Sequence, residues 1–168
     1  MKNVLIIGAG RSATSLIQYL LEQAAVYDWH ITVTDMSLPL AQEKIKGHPR
    51  GTALLFDASN ATEREVFIRK ADMVISMLPA NMHVPVAKDC LRLGKNLATA
   101  SYVSPELNSM HEEIAKKGLI FINEIGLDPG IDHMSTMQMI DDIRSKDGDI
   151  KAFYSYAGGL VAPESDNN

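Results

Sequence analysis

Apolar residues fall along this chain in two alternating rhythms. Short, mostly apolar runs (Val4 to Ile7, Ile31 to Val33, Ala53 to Phe56, Val74 to Leu78) are separated by stretches in which apolar residues recur every three or four positions. The runs read as buried strands and the periodic stretches as amphipathic helices. Strands are predicted at residues 3–7, 30–35, 53–57, 73–78, 96–100 and 119–124. Helices are predicted at about 11–25, 40–46, 63–70 and 84–93, then from Ser104-Pro105-Glu106 to near Gly118, and from about Asp132 to Ser145. Asn60 or Thr62 is positioned to cap the third helix and Ser104 the fifth, while Gly94 ends the fourth. Alternating strands and helices imply parallel pairing with right-handed crossovers. The fold class expected is therefore α/β, a doubly wound parallel sheet. A further strand is expected at 150–156. A lone strand needs neighbours, so this one reads as the first element of another domain. The domain reading is a dinucleotide-binding unit over residues 1–146 and the start of a second unit over 147–168.

The first strand runs into Gly8-Ala9-Gly10-Arg11-Ser12-Ala13, a G-x-G-x-x-A turn that opens a helix. In this pattern the first glycine permits the turn, the second lets backbone approach a pyrophosphate, and the small third residue lets helix and strand pack closely. Amide groups at the helix start then favour phosphate. Short glycine patterns recur by chance; the strand before this one, the helix after it and an acid at the end of the second strand raise its weight. That acid, Asp35, lies 22 residues beyond Ala13, close to the spacing at which a carboxylate holds the adenosine ribose. A carboxylate there would also repel a 2′-phosphate, by roughly 4 kcal/mol at about 4 Å and an effective dielectric near 20. NAD is accordingly expected over NADP.

Ligands of open α/β sheets bind beyond the carboxyl ends of the strands. Asp57 and Ala58 end the third strand, where the aspartate could meet the adenine or cap the next helix. Leu78 and Pro79 leave the fourth strand towards the nicotinamide side, or form a plain turn. Thr99, Ser101, Tyr102 and Ser104 gather at the fifth. His83 could belong to the site or merely cap and pack its helix; His30, His48 and His111 read as surface or turn positions. The mouth of the sixth strand, Asn123 to His133, concentrates Asp128, Asp132 and His133 with Gly126, Pro129 and Gly130. Two aspartates side by side are costly in a dry core, so a cationic substrate or water would face them; the plain alternative is an Asp-Pro-Gly turn with Asp132 as cap. Met134, Met137, Ile140 and Ile143 form one apolar helix face, read as core.

The chain has 168 residues, 46% of them hydrophobic, and a net charge of −5. That bounds it to a soluble domain with a core, without the basic face that nucleic acid needs. No apolar run reaches a membrane span, and no cleavable leader is apparent. The single cysteine, Cys90, fits core packing in a reducing cytoplasm. No zinc-type spacing is present, so no metal is expected.

The opening glycine turn, Ser101-Tyr102-Val103-Ser104-Pro105, Gly126-Leu127-Asp128-Pro129-Gly130-Ile131-Asp132-His133, and Gly158-Gly159-Leu160 with Ala162-Pro163-Glu164 resemble, in order and spacing, the saccharopine dehydrogenases of the glutamate-forming type. The resemblance covers the whole chain; the two middle blocks are the specific ones. It implies hydride transfer from a secondary amine to a nicotinamide, with hydrolysis of the imine to glutamate and 2-aminoadipate 6-semialdehyde. It further implies that Gly8, Ala9, Gly10, Arg11, Ser12 and Ala13 bind the pyrophosphate, Asp35 the ribose, Asp57 and Ala58 the adenine side, and Leu78 and Pro79 the region near the nicotinamide. Ser101, Tyr102 and Asp128 would meet the amino-acid substrate, with Asp128, Asp132 and His133 as candidates for proton transfer. Family members are longer and carry a large second domain, so the chain is expected to be a cofactor-binding fragment that turns over poorly; the full-length protein is expected to be a homodimer. Lysine 6-dehydrogenase and carboxynorspermidine dehydrogenase have similar first halves, and a non-catalytic NAD sensor is the alternative from another class.

Overall fold

The computed structural model describes residues 1–156 and 158. Six parallel strands, β1 (Lys2–Ile7), β2 (Trp29–Asp35), β3 (Gly51–Leu55), β4 (Met73–Ser76), β5 (Asn96–Thr99) and β6 (Phe121–Ile122), form one sheet in the order β3-β2-β1-β4-β5-β6. The order reverses between β1 and β4, which makes the crevice above those two strands the topological switch point.

Side chains of β1 alternate between two cores. Val4 and Ile6 join Ile17, Leu20 and Leu21 of α1 (Thr14–Gln23) with Ala41 and Ile45 of α2 (Leu38–Ile45). Leu5 and Ile7 join Ile68 of α3 (Ala61–Lys70) with Val86, Ala87 and Cys90 of α4 (His83–Leu93). The continuous apolar run of β1 therefore follows from burial on both faces. Asn60 caps α3: its side-chain oxygen accepts from the Thr62 and Glu63 amides. Ser104 caps the short α5 (Pro105–Ser109) through the Leu107 amide, with Pro105 in the first turn.

Several expectations are corrected. The first helix opens as a 3-10 turn, Arg11–Ala13, before α1. The helix expected after Pro105 is broken at Met110 into α5 and α6 (His111–Lys116). The sixth strand pairs over only two residues, because only Leu97 and Ala98 of β5 lie opposite it. Residues 150–156 form no strand and are almost wholly exposed; no described segment lies beside them as a pairing partner. The apolar face of α7 (Ile131–Ser145) is not core either: α7 has no buried residue, and Ile131, Met134, Met137, Met139 and Ile143 are exposed. No described helix is long and apolar enough to cross a membrane.

Candidate dinucleotide and substrate site

The glycine turn is built by two different requirements. Gly8 has φ +103°, and a Cβ on it would lie 2.9 Å from the carbonyl oxygen of Met77. Its amide donates to Thr34 O at 2.8 Å, so the turn is drawn against both neighbouring strands. No side chain fits there. Gly10 has φ −61°, and a Cβ on it would meet nothing within 4 Å. The fold does not need that glycine; the empty space above it does. Among the described residues the amides of Gly10, Arg11 and Ser12 find no backbone or side-chain acceptor, and all three residues are exposed. Ala13 is wholly buried under the turn. Unspent amides at a helix start, beneath open space, fit a diphosphate.

Asp35 ends β2 half-buried. Its Oδ2 accepts from the Ala9 amide at 2.8 Å and its Oδ1 from the Ser37 amide at 2.9 Å. The carboxylate therefore faces the glycine turn and does not swing outward. Lys44 does not neutralise it, being paired with Glu43 at 3.5 Å.

At the end of β3, Asp57 does not cap α3, a role taken by Asn60. It accepts instead from the Ser59 amide at 2.8 Å, and hydrogen bonding by Ser59 holds its carboxyl below the usual range. Arg64 fastens this loop from beneath. Its guanidinium donates to the carbonyls of Ala58 and Ser59 at 2.8 and 3.1 Å and to Asp89 Oδ2 at 2.8 Å. Ala58 is buried, and its carbonyl is already taken by Arg64. Leu78 is half-buried and Pro79 exposed, ahead of a 3-10 turn at Ala80–Met82.

Three loops on the other half of the sheet are tied together. Ser76, at the end of β4, meets His83 Nδ1 at 2.9 Å, and His83 Nε2 meets Ser101 Oγ at 2.8 Å. The Glu124 amide donates to Ser101 O at 3.0 Å, and Glu124 Oε1 accepts from the Val103 amide at 3.1 Å. These two bonds hold Glu124 at φ +61°, a region costly for a side chain. Thr99 Oγ1 donates to Asn123 Oδ1 at 3.2 Å. Gly126 sits against Ala100, so that a Cβ on it would lie 3.0 Å from the Ala100 Cβ, and its amide donates to Pro129 O at 2.8 Å. Ser101, the exposed Tyr102 and the 124–133 loop are thereby brought to one place.

Within that loop the aspartates differ. Asp128 is exposed and its carboxylate has no partner among the described residues. Asp132 Oδ1 accepts from the Gly130 amide at 2.9 Å and meets His133 Nδ1 at 2.8 Å. Burial opposes its ionisation, but the bonds from His133 and Gly130 outweigh it and hold the carboxyl below its ordinary value. His83, which sequence left between packing and function, is 2% exposed. Ser76 and Arg64 are the residues the sequence reading missed. A lone serine inside the run Met73–Leu78 was the available signal for Ser76; nothing marked Arg64. Of the other histidines, His30 meets Thr52 Oγ1 at 2.9 Å, His48 accepts from the Arg50 amide at 3.2 Å, and His111 is exposed. Among the described residues no three His, Cys, Asp or Glu side chains gather as metal ligands. A cavity of about 420 Å³ lined by Asn3, Thr32, Phe67 and Lys70 lies towards the start of β1, away from this site.

Known proteins are similar to this chain in sequence and fold. The saccharopine dehydrogenase (L-Glu forming) of Saccharomyces cerevisiae, solved in its apo form, superimposes with a TM-score of 0.79 at 38% identity, over 100% of this chain and 37% of that one. The saccharopine dehydrogenase [NADP(+), L-glutamate-forming] of Schizosaccharomyces pombe is 36% identical over 100% of this chain and 37% of its own length. The alpha-aminoadipic semialdehyde synthase of Arabidopsis thaliana is 37% identical over 98% of this chain and 17% of its own. The chain thus spans little more than a third of these relatives, or less. Residues 4–122 match the saccharopine dehydrogenase NADP binding domain and residues 126–168 the saccharopine dehydrogenase C-terminal domain. The blocks at Gly159-Leu160 and Ala162-Pro163-Glu164 lie outside the described residues. The chain belongs to the saccharopine dehydrogenase family.

Proposed function

We propose that this chain is the dinucleotide-binding part of an NAD(P)-dependent oxidoreductase that acts on saccharopine, releasing glutamate and 2-aminoadipate 6-semialdehyde. The observation that carries the reading is the likeness, along the whole chain, to proteins named for that reaction. The free amides of residues 10–12 hold the diphosphate, Asp35 the adenosine ribose, the loop at Asp57 and Ala58 the adenine, and Leu78 with Pro79 the nicotinamide side. A nicotinamide held there would supply the hydride acceptor for the substrate carbon next to nitrogen. Ser101 and Tyr102 orient the substrate. Asp128, whose carboxylate is unspent, takes the amine proton; Asp132 and His133, already paired, form the second candidate for proton transfer. Water adds to the resulting imine carbon, and the C–N bond then breaks.

The Schizosaccharomyces pombe relative carries NADP(+) in its name and the matching family domain is an NADP binding domain, against the preference for NAD that Asp35 suggested. We retain NAD as the reading favoured by this chain's own residues, because Asp35 faces the ribose position without a compensating cation. NADP is the reading favoured by the relatives.

Further parts of the proposal concern the longer protein: a dinucleotide domain over 1–146, a second domain beginning in 147–168, a homodimer, and a cytoplasmic setting. Supporting the second domain is the match of 126–168 to the family's C-terminal domain, although it starts ahead of α7 rather than after it. The test is an assay of the protein carrying that whole domain, with saccharopine, lysine and carboxynorspermidine and with each dinucleotide. Saccharopine-dependent reduction of the nicotinamide is expected. Turnover of lysine or carboxynorspermidine alone would refute the substrate.

A further inference from the structure

Both ring nitrogens of His83 face hydroxyls, Ser76 Oγ on one side and Ser101 Oγ on the other, at 2.9 and 2.8 Å. That fixes the ring orientation but not which nitrogen carries the proton. Burial decides it. Ser76 is 0% exposed, and among the described residues its hydroxyl has His83 as its one hydrogen-bond partner. If Nδ1 carried the proton and donated to Ser76, the Ser76 hydrogen would be buried with no acceptor, an arrangement native structures avoid. If Ser76 donates to Nδ1, nothing is left unpaired: Nδ1 accepts, Nε2–H donates to Ser101 Oγ, and the half-buried Ser101 keeps its own hydrogen for an outside acceptor.

We infer that His83 is a positioning residue, set by Ser76 as the neutral Nε2–H tautomer, which turns Ser101 into a hydrogen-bond donor towards a carboxylate or other acceptor group of the substrate. The inference rests on the proposed function in that Ser101 is taken to meet substrate. Burial independently disfavours the charged imidazole and lowers its pKa. The relay needs no charge: it carries the direction of hydrogen bonding from the end of β4 to the β5 loop.

The state of the ring is read directly, without turnover, by long-range ¹⁵N–¹H correlation spectra of the 168-residue chain labelled at histidine. At neutral pH His83 is expected to show a protonated Nε2 and an unprotonated Nδ1. An Nδ1–H tautomer, or an imidazolium, overturns the inference. In Ser76→Ala, whose amide spectrum reports its folding, the ring should relax to a mixture; an unchanged pure Nε2–H form would remove Ser76 from the role. In the protein with its whole C-terminal domain, Ser76→Ala should raise KM for saccharopine by about threefold to tenfold, the size of one hydrogen bond, with dinucleotide affinity unchanged. An unchanged KM overturns the positioning role. Absence of saccharopine turnover in the wild-type protein would count instead against the proposed function, and the tautomer spectra would still decide the state of His83.

Discussion

The Asp35 carboxylate accepts a hydrogen bond from the Ala9 amide at 2.8 Å, so the acid that ends β2 is clamped to the glycine turn that ends β1. A flexible surface acid could rotate away from an incoming phosphate. This one is held by two amides and cannot do so without giving up both. Asp35→Asn keeps a carbonyl oxygen for one of these bonds and removes the charge. It should raise affinity for NADPH relative to NADH by about tenfold or more, equivalent to ~1.4 kcal/mol. Fluorescence titrations with both reduced cofactors check this; an unchanged ratio would place the charge outside the reach of the 2′ position.

Gly8 and Gly10 should fail differently. Gly8→Ala forces a side chain onto φ +103° and to 2.9 Å from a backbone oxygen, at a cost of about 1–3 kcal/mol. Its melting temperature should fall, with or without cofactor. Gly10→Ala adds a methyl to open space. Its thermal stability should match the wild type while its dinucleotide affinity drops, because the methyl occupies room the diphosphate needs. Calorimetry alongside cofactor titration separates the two.

The buried His83 gives the fold a pH dependence of defined sign. Burial lowers its pKa in the native state, so between the native and unfolded pKa values the unfolded chain binds more protons. Stability therefore rises with pH across that window. It is complete above the ordinary histidine value near 6.5 and is lost as the pH falls towards the native pKa. Melting temperatures measured from about pH 8 to about pH 5 should decline more steeply in the wild type than in His83→Gln, which has nothing to protonate there.

Cys90 lies wholly buried in the core between α3, α4 and the sheet. Burial first, then neighbouring Asp89, pushes its thiol up to about 12. Thiol reagents act on the thiolate, so the native chain should remain unlabelled at mildly alkaline pH and take up one equivalent once unfolded.

How far the sequence carried can be seen from individual residues. The strands β1 to β5, the order of the helices, the caps at Asn60 and Ser104 and the glycine turn were legible because each depends on local signals: apolar period, capping chemistry, glycine spacing. The unspent amides of residues 10–12 follow from the same local pattern. The Ser76–His83–Ser101 chain was not legible, since the three residues come from three segments that meet only when β4 lies beside β5. Arg64 was hidden for the same reason: its acceptors are the loop behind it and an aspartate 25 positions away. The strand expected at 150–156 failed in the opposite direction. A strand is a property of pairs, and no described partner accompanies this segment. The apolar face of α7 was likewise read correctly as apolar and wrongly as buried.

Glu124 is exposed and carries a charge, and by those marks it would be classed with the residues that tolerate replacement. Yet its amide and its carboxylate, together with the Thr99–Asn123 bond, sew the wall carrying Ser101 to the wall carrying Asp128. A survey that sorted positions by solvent exposure would misfile it: shortening this one side chain alters the spacing of two walls while touching neither a ligand nor a buried core.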